Sequence, residues 1–183
     1  MKRLGETYSF YPEKMGEASR SRMIAWKTSL FSLASAGVYT YPRYDNPKTE
    51  MPWVKLTHIA SGKTIYIINT HTSAGGTGGD KGIGGLTPPE TRKVEAEKII
   101  KTAQDLGADG SPVILTGDYN STCEVTSNDK GMTLDEIPCV MLQKAGYNDA
   151  GETAKATGAN TINYEYATSH GEAGNLRKTG RHI

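Results

Sequence analysis

Two stretches, Ile65-Tyr66-Ile67-Ile68-Asn69-Thr70-His71 and Val113-Ile114-Leu115-Thr116-Gly117-Asp118-Tyr119-Asn120, decide how this chain is read. Each opens with a continuous apolar run, as expected of strands covered on both faces. Each closes in polar residues able to do chemistry. Between them the signals for a helix agree with one another. Thr87 and Glu90 stand in a capping-box relation, with Pro88 at the first helical position. Ala96, Ile99, Ile100, Ala103 and Leu106 follow at helical spacing, Arg92, Lys93, Glu97 and Lys101 are expected to face water, and Gly107 is expected to stop the helix.

Working outward, Trp53 to Ile59 alternates, with Val54 and Leu56 on one side and Lys55 and Thr57 on the other. Ser61-Gly62 turns it into the strand Lys63 to Thr70. Upstream, Arg22 to Trp26 and Phe31 to Ala36 read as two strands, the second ended by Gly37. Residues 40–51, with Pro42, Asp45, Asn46 and Pro47, read as a loop, and the glycine-rich 73–85 as another. Downstream, a short helix is expected from near Pro138 to Ala145, stopped by Gly146, and a strand from Thr161 to Thr168. No internal repeat and no linker divides the chain, so the order of elements reads as one α/β domain.

Composition sets broad bounds. A chain of 183 residues with 36% hydrophobic content suits one globular domain, which at this size buries roughly 70% of its unfolded surface. A net charge of +1 gives no argument for nucleic acid from composition alone. No apolar run approaches the ~20 residues of a membrane span. The opening Met1-Lys2-Arg3-Leu4-Gly5-Glu6 has no apolar stretch behind it and is not a signal peptide, so either the protein is cytoplasmic or its true start lies upstream. Cys123 and Cys139 leave two readings nearly balanced, free thiols narrowly ahead of a bridge. A bridge would close a loop of about 15 residues and contribute ~3 kcal/mol in an oxidising compartment.

The polar strand ends carry the candidate chemistry. Strand ends hold side chains with little motion. Gly117 allows a sharp turn and a close ligand approach, and Asp118 and Asn120 alternate, so both can point to one side. A carboxylate holds a divalent cation or orients water, an amide donates to a phosphoryl oxygen, and a histidine hydrogen-bonds a phosphate or protonates a leaving group. Such oxygen-rich ligation favours Mg²⁺ or Mn²⁺, with Ca²⁺ also admissible. Either tetrapeptide alone is ordinary turn chemistry; the pair, each after a buried strand with one helix between, argues for a site.

On these residues the chain resembles the endonuclease/exonuclease/phosphatase (deoxyribonuclease-I-like) superfamily. The resemblance rests on Asn69-Thr70-His71, the helix from Thr91-Arg92, Gly117-Asp118-Tyr119-Asn120-Ser121, and, upstream, Met23-Ile24-Ala25-Trp26-Lys27 and Phe31-Ser32-Leu33. It is strong from about Arg22 to Asn120 and looser over Leu142 to Ala150. It implies a two-sheet α/β sandwich with helices outside. It also implies that residues 1–183 form a single but incomplete domain. The family's Gln-Glu motif is not found before Tyr8, and Gly180-Arg181-His182-Ile183 ends before the aspartate that follows in the family; the Ser-Asp-His motif is also absent. Glu6, Glu13 and Glu17 are not assigned as the metal glutamate.

By the same resemblance Asp118 positions or activates the attacking water and offers a weak metal ligand. Asn120 binds phosphate or the nucleophile, His71 hydrogen-bonds the phosphate or assists the leaving group, and Asn69 orients the loop at the phosphate side. The expected cofactor is Mg²⁺, with Mn²⁺ or Ca²⁺ as substitutes. The expected partner is nucleic acid, cleaved as a phosphodiester; the alternatives are a lipid or small-molecule phosphoester and an inactive module that only binds. The protein is expected to be monomeric, with secretion narrowly favoured.

Weaker candidates remain. Gly75-Gly76-Thr77-Gly78-Gly79-Asp80-Lys81 lacks the ending of a phosphate loop and reads as a surface loop, though Lys81 could touch phosphate. Asn120-Ser121-Thr122 is formally a glycosylation sequon, inaccessible if Asn120 serves a site. His58 reads as a structural residue, His170 as a minority candidate, and Arg177, Lys178, Arg181 and His182 as a solvated basic face.

Overall fold

The computed structural model describes residues 7–13, 22–75, 81–82 and 84–158. Six strands and three helices follow one another: β1 (Tyr8–Tyr11), β2 (Ile24–Lys27), β3 (Phe31–Tyr41), β4 (Thr49–His58), β5 (Thr64–His71), α1 (Pro88–Leu106), β6 (Val113–Asp118), α2 (Pro138–Lys144) and α3 (Ala150–Ala156). Strands β1 and β2 make an antiparallel pair, and the other four form a sheet in the order β3-β4-β5-β6. Pairing in that sheet is antiparallel except for β5 with β6, which is parallel and is joined through α1. Parallel neighbours need such a crossover, because a tight turn cannot return the chain to run in the same direction.

The alternation seen in β4 assigns the two faces of this sheet. Val54 and Leu56 pair with Ile67 and Ile65 of β5 and pack with Ile24 and Trp26 of β2. On the opposite face Met51, Tyr66 and Ile68 pack with Ile99, Ala103 and Leu106 of α1 and Leu142 of α2. The molecule is therefore a two-sheet α/β sandwich with helices outside. The central apolar strand β5 is covered on both faces, as its sequence demanded. Each fully buried Leu, Ile or Met contributes about 1.5–3 kcal/mol, and the even and odd residues of β4 and β5 divide that contribution between two cores.

Several sequence expectations need correction. Gly37 does not end β3, which runs on to Tyr41. It pairs with Trp53, and a Cβ at 37 would lie 2.7 Å from the indole Cζ2, so the glycine makes room for the ring. The loop expected over 40–51 shrinks accordingly, because β4 already begins at Thr49. Arg92, expected to face water, is fully buried, for reasons given below. Helix α1 does stop at Leu106 with its capping box intact, but Gly107 keeps a right-handed φ of −76° and leads into a single 3-10 turn; Gly110 takes the left-handed conformation instead. Strand β6 runs through Gly117 to Asp118. Cys123 and Cys139 are joined in a disulfide, with Cα atoms 5.0 Å apart, in place of the free thiols narrowly favoured. Strand β1 and helix α3 had no counterpart in the sequence reading, and the strand expected at Thr161–Thr168 lies outside the described residues.

Gly117 is required by the parallel pairing itself. It sits opposite Thr70 with φ +137°, and a Cβ there would come within 2.1 Å of the Thr70 carbonyl oxygen. It was expected to let a ligand approach; what approaches is the neighbouring strand. Gly131 also has a positive φ, but nothing lies within 4 Å of its missing Cβ. Replacement of Gly117 by Ala is therefore expected to cost roughly 3 kcal/mol or more, combining backbone strain with overpacking. Gly131→Ala should cost only the ~1–2 kcal/mol of the left-handed backbone. Urea denaturation of the two variants checks this, and equal losses would contradict the packing argument.

Candidate active site

The site is built by register. Parallel pairing sets Asn69 beside Thr116, Thr70 beside Gly117 and His71 beside Asp118. Residues directly paired share a face, so His71 and Asp118 emerge side by side at the C-terminal ends of two adjacent strands. His71 Nε2 lies 3.6 Å from Asp118 Oδ2, with the side chains 33% and 48% exposed. That separation is too long for a hydrogen bond. It holds two reactive heteroatoms next to each other while both remain open to solvent.

A polar network beneath the pair fixes its backbone. The phenol of Tyr41, 1% exposed at the end of β3, donates to the His71 carbonyl at 2.8 Å, and accepts from Thr70 Oγ1 at 3.0 Å and from the His71 N–H at 3.3 Å. After β5 the chain stays beside β6 through the bond from Thr72 N–H to the Asp118 carbonyl, 2.9 Å. The Asn120 N–H donates to Asp118 Oδ1 at 2.8 Å, and the Asn120 amide donates from Nδ2 to the Thr72 carbonyl at 2.9 Å. Asn120 has φ +46°, a left-handed conformation that asparagine tolerates better than most residues. This side chain ties the two strand ends to each other.

Asn69 uses both ends of its amide. Nδ2 donates to the Met23 carbonyl at 3.2 Å, and Oδ1 accepts from Thr116 Oγ1 at 3.1 Å. It thus links β5 to β6 and to the segment entering β2. Lys81 is exposed, close enough to the start of α1 for its charge to act on Glu90. Residues 76–80 of the glycine-rich loop, along with His170, Arg177, Lys178, Arg181 and His182, lie outside the described residues. His58 bonds Ser61 Oγ through Nδ1 at 2.8 Å and packs its ring 5.4 Å from that of Phe31.

Two charged residues of α1 hold the loop after β5: Arg92, expected to face water, and Glu95, to which the sequence reading gave no role. Arg92 donates from Nη1 to the carbonyls of Ser73 and Gly75, 3.2 and 2.6 Å, and from Nη2 to the Asn128 carbonyl and Asp129 Oδ1, 2.6 and 3.0 Å. Glu95, one turn on and completely buried, accepts from the N–H and hydroxyl of Ser73, both at 2.8 Å. The signal was available. Stepping back by three or four from Leu106 through Thr102 and Ile99 lands on Glu95 and Arg92, so these charges occupy the buried stripe. A charge on a buried stripe needs partners, and here it finds them in the loops flanking the site.

Charge and burial act on these groups in different directions. Burial lowers the pKa of His71, more than the Asp118 carboxylate raises it, and the charges of Arg43 and Arg22 lower it further. His71 is therefore a neutral imidazole at pH 7, able to accept a proton at one nitrogen and donate from the other. Burial pushes Glu95 up to about 7 in spite of its two bonds from Ser73.

Among the described residues no three His, Cys, Asp or Glu side chains lie together in a group that could hold an ion. Asp118 and His71 alone do not supply the several oxygen donors a hard divalent cation takes. The described residues do not fit Mg²⁺ by themselves.

The raised pKa of Glu95 has a definite sign. The protonated acid is favoured by the fold, so its contribution to stability is complete below pH 4.5 and is lost as pH rises through about 7. Glu95→Gln carries no charge at any pH. The difference in unfolding free energy between wild type and Glu95→Gln is expected to move by about 3 kcal/mol against the wild type between pH 4.5 and 7. Urea melts at stepped pH measure it; a constant difference would show that Glu95 titrates normally.

No protein-family model matches the chain, and none of the curated proteins does. Solved structures do. The human Nocturnin catalytic domain, which carries a bound sulfate, is 16% identical, covers 90% of this chain and 57% of its own, and superposes with a TM-score of 0.57. An endonuclease/exonuclease/phosphatase family protein from Bacteroides thetaiotaomicron is 18% identical over 70% of this chain and 47% of its own, with a TM-score of 0.47. TDP2 of D. rerio, complexed with a single-strand DNA product, is 15% identical over 82% and 47%, with a TM-score of 0.49. This chain thus spans about half the length of the structures it matches. Its sandwich, with His71 and Asp118 at the ends of paired parallel strands, has the deoxyribonuclease-I-like fold of the endonuclease/exonuclease/phosphatase proteins.

Proposed function

We propose that this chain is part of a phosphoesterase, and that its substrate is a phosphodiester of nucleic acid. One observation carries the reading: His71 Nε2 and Asp118 Oδ2 stand 3.6 Å apart at the ends of two adjacent parallel strands. In open α/β sheets ligands bind outside the C-terminal ends of parallel strands, and β5 and β6 are the one parallel pair among the described strands.

The chemistry follows from what each group can do. Hydrolysis of a phosphodiester requires water to attack phosphorus in line with the oxygen that leaves. Asp118, with one oxygen oriented by the Asn120 N–H, accepts a hydrogen bond from that water and aims its lone pair. His71, neutral at pH 7, donates to a non-bridging or leaving oxygen. Asn120 spends one amide proton on the Thr72 carbonyl and has a second for a phosphoryl oxygen. Asn69 and Tyr41 hold the strand ends that carry these groups. Mg²⁺, implied by the sequence resemblance, is kept as the expected cofactor, with Asp118 as its one candidate ligand among the described residues. The Cys123–Cys139 bridge supports an oxidising compartment.

Supercoiled plasmid incubated with Mg²⁺ and the full-length protein that carries this chain tests the reading. Nicking is expected, stopped by EDTA, and lowered at least about 10²-fold in Asp118→Asn, the scale of a lost general base or water-positioning group. Circular dichroism of the variant should match the wild type. Nicking that persists unchanged in Asp118→Asn would remove Asp118 from the reaction. Plasmid left intact by the wild type, alongside cleavage of a small phosphoester, would move the substrate away from nucleic acid.

A further inference from the structure

Arg22 is not accounted for by the site described so far. It lies two residues before β2 and is 1% exposed. Neither Nε nor Nη2 of its guanidinium has a hydrogen-bond partner. Two buried guanidinium nitrogens without hydrogen bonds are costly, and such groups call for an explanation, a bound ion among them. Arg92 shows the contrast: equally buried and also with an unbonded Nε, it satisfies both terminal nitrogens with four hydrogen bonds.

A second arginine lies nearby. Arg43 follows β3 by two residues; its Nε is also buried without a hydrogen bond and is 3.7 Å from Asp45 Oδ1, with the side chain 20% exposed. The backbone brings both arginines to the site. Met23, next to Arg22, accepts from the Asn69 amide, and Tyr41, two residues before Arg43, is bonded to both backbone polar groups of His71. The two guanidinium charges act on one another and on the His71 imidazole. Asp45 and Glu50 exert opposing fields on Arg22, yet neither supplies a hydrogen bond to Nε or Nη2.

We propose that Arg22 and Arg43 form a second anion subsite beside His71, which takes a phosphate group other than the one attacked. Guanidinium forks match phosphate oxygens in pairs, and a dry setting strengthens such bonds. The substrate then carries two phosphates within reach of each other, whether successive phosphates of a nucleic acid strand or the two groups of a small bisphosphate. This rests on the phosphoesterase reading for the word substrate; the anion site itself stands on Arg22 and Arg43 alone.

Calorimetric titration of the 183-residue chain with inorganic phosphate and with pyrophosphate, without divalent cations, tests it. Wild type is expected to bind pyrophosphate at least about tenfold more tightly than phosphate. Arg43→Gln should lose that preference, and Asp118→Asn should keep it. Arg22→Met removes a buried charge with two unbonded nitrogens, so its melting temperature without ligand should rise, and its pyrophosphate-dependent stabilisation should vanish. A structural arginine would give the reverse, a lower melting temperature. Equal affinity of wild type for the two anions, or a preference that survives in Arg43→Gln, overturns the subsite. Displacement of pyrophosphate by a short oligothymidylate assigns it to nucleic acid, and failure to displace assigns it to a small bisphosphate. Should pyrophosphate preference hold while Asp118→Asn leaves plasmid nicking unchanged, the hydrolytic roles fall and the anion subsite stands.

Discussion

Parallel pairing of β5 with β6 is the constraint from which the site follows. Strand β5 arrives from a tight hairpin with β4, whereas β6 arrives through the long helix α1. Their register is set where Thr70 faces Gly117, because only a residue without Cβ can stand against the Thr70 carbonyl. A slip by one residue would put a side chain at that point and turn His71 and Asp118 to opposite faces. The same glycine that lets the strands meet thus aligns the imidazole and the carboxylate on one side.

Around this junction the fold invests in buried polar contacts. Tyr41, at the end of β3, fastens the His71 backbone, and Arg92 and Glu95 fasten the loop leaving β5. Arg92 and Asp129, 1% and 3% exposed, make a fully enclosed ion pair. Removing one partner of such a pair typically costs about 3–5 kcal/mol because the other is left buried and uncompensated. These contacts make the site rigid from below, while His71 and Asp118 remain accessible from above.

Much of this was legible in the residues, and the failures have identifiable causes. The apolar run of β5, the alternation of β4 and the capping box of α1 report their own periodicity, so strand β5, strand β4 and the helix start were read within a residue or two at most ends; the run of β6 misled, because it ends the four-stranded sheet and leaves Ile114 exposed instead of covered on both faces. The proximity of His71 to Asp118 was also an expectation from sequence, and the structure brings them together. Gly37 misled because its role depends on Trp53, a cross-strand neighbour sixteen positions away that no local pattern reveals. Arg92 misled because charge was weighted above its place on the helix stripe. Tyr41 lay in what read as a loop, and the meaning of Arg22 depends on partners it lacks, which only coordinates expose. The disulfide was undetermined because spacing alone does not bring two cysteines within bonding distance.

The claim that His71 and Asp118 act as one unit can be measured without substrate. The NMR titration of the His71 ring gives its pKa directly in the wild type and in Asp118→Asn. The carboxylate raises the His71 pKa while burial and the two arginines lower it. Removing the carboxylate charge should therefore lower a pKa already below the ordinary histidine value. A His71 titration that is the same in both proteins would show that the two side chains do not share a site, and would contradict the account at its root.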